Sequence, residues 1–340
     1  MKKSWLIILL ALVMVLAAGC GSTASTPSGE GTQSDASAET GSKFPEKDIR
    51  LIVSYPAGGG FDKLARQIAP YIEKNLPNDV MVIVENKPGG NSVMGINEVL
   101  NAKPDGYTIG IFNLPGHLVG QIATGQYDLS KLAWLGQAVV DPQVAVASKN
   151  SGLTSLEDVV KAGKVKVSAS GLTGTDGLGA IASSAKMGFE VNLLTPGGAN
   201  EAMLSLMRGD ADLSLQPFAS AKPLIDAKEV VPIWVFANER LPELPDVPTI
   251  VEKGFDNPGL ISINNLRRAF ATSGQVGEEE VTILRDAFKK ALEDPELQAE
   301  IAKGGTPITY ASPEELEQAM KDMIESITPF TEQLKAASGN

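Results

Sequence analysis

Ile49-Arg50-Leu51-Ile52-Val53 runs directly into Ser54-Tyr55-Pro56-Ala57-Gly58-Gly59-Gly60-Phe61-Asp62, and a helical pattern begins near Lys63. The first five residues are apolar apart from Arg50, as in a strand covered on both faces. Three consecutive glycines then let the backbone approach a ligand and turn N–H groups toward it, while Asp62 is placed to cap the helix. Strand, glycine loop and helix N-terminus in that order outline an anion cradle. A tight turn needing positive φ is the plainer reading of the same glycines.

Outward from this unit the pattern repeats. Further strands are expected at 80–84, 107–112, 144–147, 165–168, 191–194, 211–215 and 231–236, most of them continuous apolar runs. Helical signals lie between them. Thr154-Ser155-Leu156-Glu157 reads as a capping box, and 200–208 as a helix stopped by Gly209. This alternation predicts an α/β class with doubly wound, mostly parallel sheets and right-handed crossovers. From 278 onward the chain reads as helices with little strand, at 278–293, 294–303 and 312–334, the last opened by Ser312-Pro313-Glu314-Glu315. About 300 residues after Phe44 are enough for two lobes, expected at 44–143 plus 247–340 and at 144–246.

In open parallel sheets ligands lie at the carboxyl ends of strands, which singles out two more loops. Ser168-Ala169-Ser170-Gly171-Leu172-Thr173-Gly174-Thr175-Asp176-Gly177 offers hydroxyls and free backbone at a helix start, suited to carboxylate oxygens or simply to capping. Thr195-Pro196-Gly197-Gly198-Ala199-Asn200 occupies the equivalent place after the next strand; Pro-Gly-Gly is also ordinary turn chemistry, and Asn200 is a candidate cap. The candidate ligand residues are therefore Tyr55, Gly58, Gly59, Gly60 and Asp62 in the first loop, Ser170, Thr173, Gly174, Thr175 and Asp176 in the second, and Pro196, Gly197 and Gly198 in the third.

The first residues address the chain. Lys2 and Lys3 precede an apolar run, Trp5 to Leu16, and small residues lead to Cys20, so residues 1–19 read as a bacterial secretion signal. That run is shorter than the roughly 20 residues needed to cross a bilayer. Cys20 is the only cysteine, and Leu16-Ala17-Ala18-Gly19-Cys20 resembles a lipobox, which makes Cys20 the expected lipidation site and the protein extracytoplasmic and membrane-anchored. Residues 20–43 are a Ser/Thr/Gly/Ala-rich stretch read as a tether with a reach of about 25 Å. Without the signal, 27 basic residues face 41 acidic ones, a net charge of −14. That argues against nucleic acid as a partner, and an anionic ligand must be attracted locally because the overall field opposes it.

Catalytic patterns are missing. His117 is the only histidine, follows Pro115-Gly116, and reads as a solvated loop residue with no second ligand for a metal. Dinucleotide, Walker and nucleophile-elbow motifs are absent, so neither cofactor nor metal nor catalysis is expected. A secreted enzyme on the same scaffold remains the distant alternative, and a sensor speaking to a signalling partner the nearer one.

Pro56-Ala57-Gly58-Gly59-Gly60-Phe61-Asp62-Lys63-Leu64-Ala65-Arg66 resembles the P-x-G-G-x-x-D-x-x-A-R signature of the tripartite tricarboxylate transporter receptors, the Bug family. Val84-Glu85-Asn86-Lys87-Pro88-Gly89-Gly90, Lys103-Pro104-Asp105-Gly106-Tyr107-Thr108, Gly209-Asp210-Ala211-Asp212 and Leu244-Pro245-Asp246-Val247-Pro248-Thr249 follow in family order. The resemblance implies a two-lobed fold like type II periplasmic binding proteins, with crossing strands, closing as a monomer on a small di- or tricarboxylate. It implies Gly59, Gly60 and Asp62 on one side of the ligand and Thr173, Gly174, Thr175 and Asp176 on the other. It also implies a permease partner of one large and one small integral membrane protein, driven by an ion gradient. Two positions depart from the pattern: Gly177 stands where many members carry histidine, and Gly197 where an aromatic residue is usual.

Overall fold

The structure is a computed structural model describing residues 43–338 except 173, 197–198 and 304–305. The signal, Cys20, the tether, Thr173, Gly197 and Gly198 lie outside the described residues. In chain order the elements are β1 Ile49–Val53, α1 Gly60–Asn75, β2 Val82–Asn86, α2 Val93–Leu100, β3 Thr108–Leu114, α3 Gly116–Thr124, β4 Leu132–Ser148, α4 Leu156–Ala162, β5 Lys164–Ser168, α5 Thr175–Met187 and β6 Glu190–Leu194. They continue as α6 Ala199–Arg208, β7 Leu213–Pro217, α7 Phe218–Asp226, β8 Val230–Val235, α8 Pro258–Ile263, β9 Asn265–Ser273, α9 Glu278–Glu293, α10 Pro295–Ala302, β10 Ile308–Ala311, α11 Pro313–Ile327 and α12 Thr331–Ser338.

The strands run β2-β1-β3-β9-β4-β7-β5-β6 across one curled sheet, with β8 and β10 also pairing with β4. Each wing of the sheet is parallel: β1 lies between β2 and β3, and β5 between β6 and β7. Between the wings β4 and β9 are antiparallel to their neighbours and to each other. This is the expected α/β class with crossing strands.

The central pair was the least visible in the sequence. Only 144–147 of the 17-residue β4 is an apolar β-branched run, because Gly136 (φ +135°) and Pro142 interrupt the rest. Pro142, which has no N–H to give a ladder, sits where pairing passes from β9 (132–142) to β7 and β8 (143–148). β9 falls between the last expected strand, at 231–236, and the helices expected from 278, where the sequence pattern assigns no element. Its Asn265-Leu266-Arg267-Arg268 start puts two cations where an apolar run was sought. The N-cap of α4 lies one residue later than expected and is not a closed capping box: Ser155 accepts from the Asp158 amide at 3.1 Å, while Asp158 accepts from the amide and hydroxyl of Thr154, outside the helix. Asn200 lies inside α6 rather than capping it.

Helices cover the sheet through apolar stripes. In α1, Phe61, Leu64, Ala65, Ile68, Ala69 and Ile72 are buried at helical spacing against β1 and α9. The C-terminal α11 opens with a true capping box at Ser312 and Glu315, then packs on α8, while α12 packs on α3.

Candidate functional site

The parallel wings turn the C-terminal ends of β1, β3 and β5 toward the crossing strands, and a cleft of about 540 Å³ lies there. Its lining comes from both wings: Tyr55, Phe61, Asn91, Ser92, Asn113, Gly116 and His117 from the first, Ser170, Gly171, Gly174, Thr175, Asp176, Gln216 and Pro217 from the second, and Gln143 and Leu266 from the crossing strands.

The first loop is held from behind by Asp62. The helix N-cap is Gly59, with no side-chain cap bond, so Asp62 does not cap α1 as expected. It folds back instead: one carboxylate oxygen accepts the Gly58 amide at 2.8 Å, and the other accepts from Arg66 Nε at 3.0 Å and Asn86 Nδ2 at 2.9 Å. Gly58 has φ +81°, a conformation glycine adopts without strain. Burial raises the Asp62 pKa, but the Arg66 bond, the Gly58 amide and Asn86 together outweigh it and hold the carboxyl below its ordinary value. Asp62 is 3% exposed and its acceptors are taken. It shapes the loop rather than facing the cleft. Gly58, Gly59 and Gly60 are exposed beside Phe61, and the first-turn amides of α1, Gly60 to Asp62, have no intrahelical acceptor.

The second loop has the same device. Asp176, in the first turn of α5, accepts from the Ser170 amide (2.6 Å), the Ser170 hydroxyl (2.6 Å) and the Gly177 amide (3.0 Å). Here no cation helps, and burial, only partly offset by Ser170 and Gly177, pushes the carboxyl up. Gly174 caps the helix with its backbone, and Thr175 opens it at the cleft. The Gly177 departure has a steric reason. A Cβ there would run into the Gly171 carbonyl and come within 3.1 Å of Leu172 Cα, so this loop folds tightly over a position only glycine fits. In the third loop Pro196 is exposed and not part of the cleft lining.

A third contributor was missed. His117 is not a solvated loop residue: it lies in α3, is buried at 3% exposure, and lines the cleft. Its Nδ1 accepts the Asn113 amide at 3.3 Å, which assigns the proton to Nε2, 3.1 Å from the Tyr55 hydroxyl. Asn113 Nδ2 donates to the same hydroxyl at 3.0 Å. Burial lowers His117 to about 3, so the ring is neutral at physiological pH. Tyr55 stacks between it and Phe61, with centroids 5.9 and 4.4 Å away. The available signal was positional: Asn113-Leu114-Pro115-Gly116-His117 joins a strand to a helix on the same side of the sheet as the first loop.

The cleft is thus lined by loop backbone, hydroxyls and carboxamides, with a neutral histidine and one aspartate, Asp176, already bonded to its own loop; Gly58, Gly59, Gly60 and Asp62 lie beside Phe61, outside the lining. Among the described residues no group of three His, Cys, Asp or Glu could hold a metal ion, and no helix is long and apolar enough to cross a membrane.

Residues 64–335 match the profile of the tripartite tricarboxylate transporter family receptor. A UPF0065 protein from the TAR-I ttuE-ttuC' intergenic region of Agrobacterium vitis is 28% identical over 308 residues, 85% of each chain. The crystal structure of a TctC solute-binding protein from Polaromonas, 26% identical, superposes with a TM-score of 0.71 over 86% of this chain and 98% of that one. MatC from Rhodopseudomonas palustris, solved with bound malate, shares the fold at 20% identity, with a TM-score of 0.67 over 86% of this chain and all of MatC. With the matched stretch covering most of the sequence and the shared fold covering both wings, the chain belongs to the tripartite tricarboxylate transporter receptors, the Bug family of periplasmic solute-binding proteins.

Proposed function

We propose that the cleft takes a small di- or tricarboxylate between the two wings, and that the receptor, anchored through Cys20, presents it to a permease of one large and one small membrane subunit. The observation that carries this reading is the pair of Asp-stapled glycine loops, one in each wing, beside a cleft lined from both wings. Main-chain N–H groups at two helix starts suit an anion, and a charge-assisted hydrogen bond is roughly twice as strong as a neutral one. The malate held by MatC, a protein of this fold, points to the same ligand class. Residues 44–143 plus 247–340 and residues 144–246 are proposed as the closing lobes, with β4 and β9 between them. A ligand touching both favours the closed state by its differential affinity.

Malate, succinate, adipate and citrate are to be screened by thermal shift on the mature chain, beside neutral sugars and a cationic peptide. Saturation at about 100 times Kd stabilises the native state by about 2.7 kcal/mol. A rise with a carboxylate and none with the others is expected; shifts confined to sugars or peptides reject the ligand class. Radiolabelled fatty acid retained by wild type and lost in Cys20→Ala tests the anchor.

A further inference from the structure

Alternation along the crossing strands places a charge pair beside the cleft, on the face of two residues that line it. Leu266 of β9 and Gln143 of β4 line the cleft, so Arg268 and Asp141, two residues along each strand, share that face. Arg268 reaches toward the first loop: its guanidinium carbon lies 5.3 Å from the centre of the Phe61 ring, and a Cβ on Gly60 would be 3.6 Å from Nη2. Asp141 reaches the other way, accepting from the Ala219 amide at 3.3 Å at the start of α7.

The pair itself is loosely made. Arg268 Nη2 and Asp141 Oδ2 are 3.7 Å apart, with the side chains 13% and 1% exposed. Among the described residues neither Arg268 Nε nor Asp141 Oδ2 has a hydrogen-bond partner. Burial pushes the Arg268 pKa down, with Asp141 opposing, and pushes Asp141 up, with Arg268 opposing. A buried charge held by so long a contact is under-compensated, and its cost falls when a better counterion arrives. The chain is strongly acidic overall, so a cation buried beside an anion cradle is the local attraction that such a site requires.

Resting on the carboxylate reading above, we propose that Arg268 is the ligand's counter-charge: its guanidinium leaves Asp141 for a ligand carboxylate held at the first turn of α1, and so selects acids over uncharged analogues. Asp141 is its resting partner, and the α7 amides stay with Asp141 when the guanidinium turns.

Calorimetric titration of the mature protein with the tightest carboxylate from the screen, and with its uncharged amide, tests this. Arg268→Gln is expected to weaken the acid about 100-fold and leave the amide within about threefold, Arg268→Lys to weaken the acid about 10-fold, and Asp141→Asn to tighten it about threefold. A merely structural ion pair moves Arg268→Gln and Asp141→Asn the same way, on acid and amide alike; that result, or unchanged affinity in Arg268→Gln, overturns the assignment while leaving the carboxylate reading intact. If Arg268→Gln does not fold, Arg268→Gln with Asp141→Asn, which leaves no unpaired charge, must still show the loss for the acid alone. Absence of binding by any carboxylate to wild type overturns the reading and the assignment together.

Discussion

The two glycine loops solve one mechanical problem with opposite electrostatics. In each, an aspartate in the first turn of the following helix reaches back to hold its own loop amide, Gly58 for Asp62 and Ser170 for Asp176. Asp62 has Arg66 beside it and sits below the ordinary carboxylate range; Asp176 has only hydroxyl and amide donors and sits above it. The first loop leaves its glycines exposed, whereas the second folds over Gly177. A shared hydrogen-bond pattern therefore does not imply a shared energetic role. The neighbours of the carboxylate decide whether its charge supports or burdens the fold.

Four substitutions and one titration break or sharpen this contrast. Gly177→Ala is expected to cost most, about 3 kcal/mol, because the new methyl meets backbone that cannot rotate away; Gly60→Ala, which meets only the end of Arg268, should cost far less, and urea midpoints compare them. Asp62→Asn should cost about 2 kcal/mol at pH 7, since charge-assisted bonds to Arg66 and Gly58 are lost. Because the folded pKa is depressed, that contribution is present above the unfolded value near 3.9 and disappears as pH falls through the folded one. A difference that persists undiminished at pH 2 contradicts it. Asp176→Asn should cost less than about 1 kcal/mol at pH 7. Its folded pKa is raised, so the wild-type advantage is full below about 3.9 and is lost as pH rises through the folded value; a gap that widens toward pH 7 reverses the assignment. Smallest is His117. It is neutral across the physiological range, so its imidazole NMR resonances should stay fixed from pH 5 to 8 in the free protein, and a titration step in them near 6.5 would disprove its buried, neutral state.

The wings were legible because parallel strands buried on both faces read as apolar runs, as β1 and β3 do, and because β5 alternates exposed lysines with buried valines before its glycine-rich loop. The crossing strands were not, because they carry Gly136, Pro142, Asp141, Arg267 and Arg268, residues whose burial depends on partners distant in sequence. The same reason hid part of the cleft. Tyr55, Ser170, Gly174 and Thr175 announce themselves by local turn chemistry, but His117 is defined by Tyr55 and Asn113, and Gln143, Gln216 and Leu266 by a sheet register that no local pattern encodes. Asp62 and Asp176 were expected to face the ligand, but the geometry gives both carboxylates to their own loop backbone.

One strand belongs to both wings: β4 pairs with β9 and β10 on its first half and with β7 and β8 on its second. Neither wing can therefore melt and leave the other with an intact set of ladders. Denaturation should follow a single cooperative transition, and native-state amide exchange should be slowest along β4, faster toward the outer strands β2 and β6. Under the lobe closure proposed above, this shared strand keeps either half from being exposed alone to proteolysis.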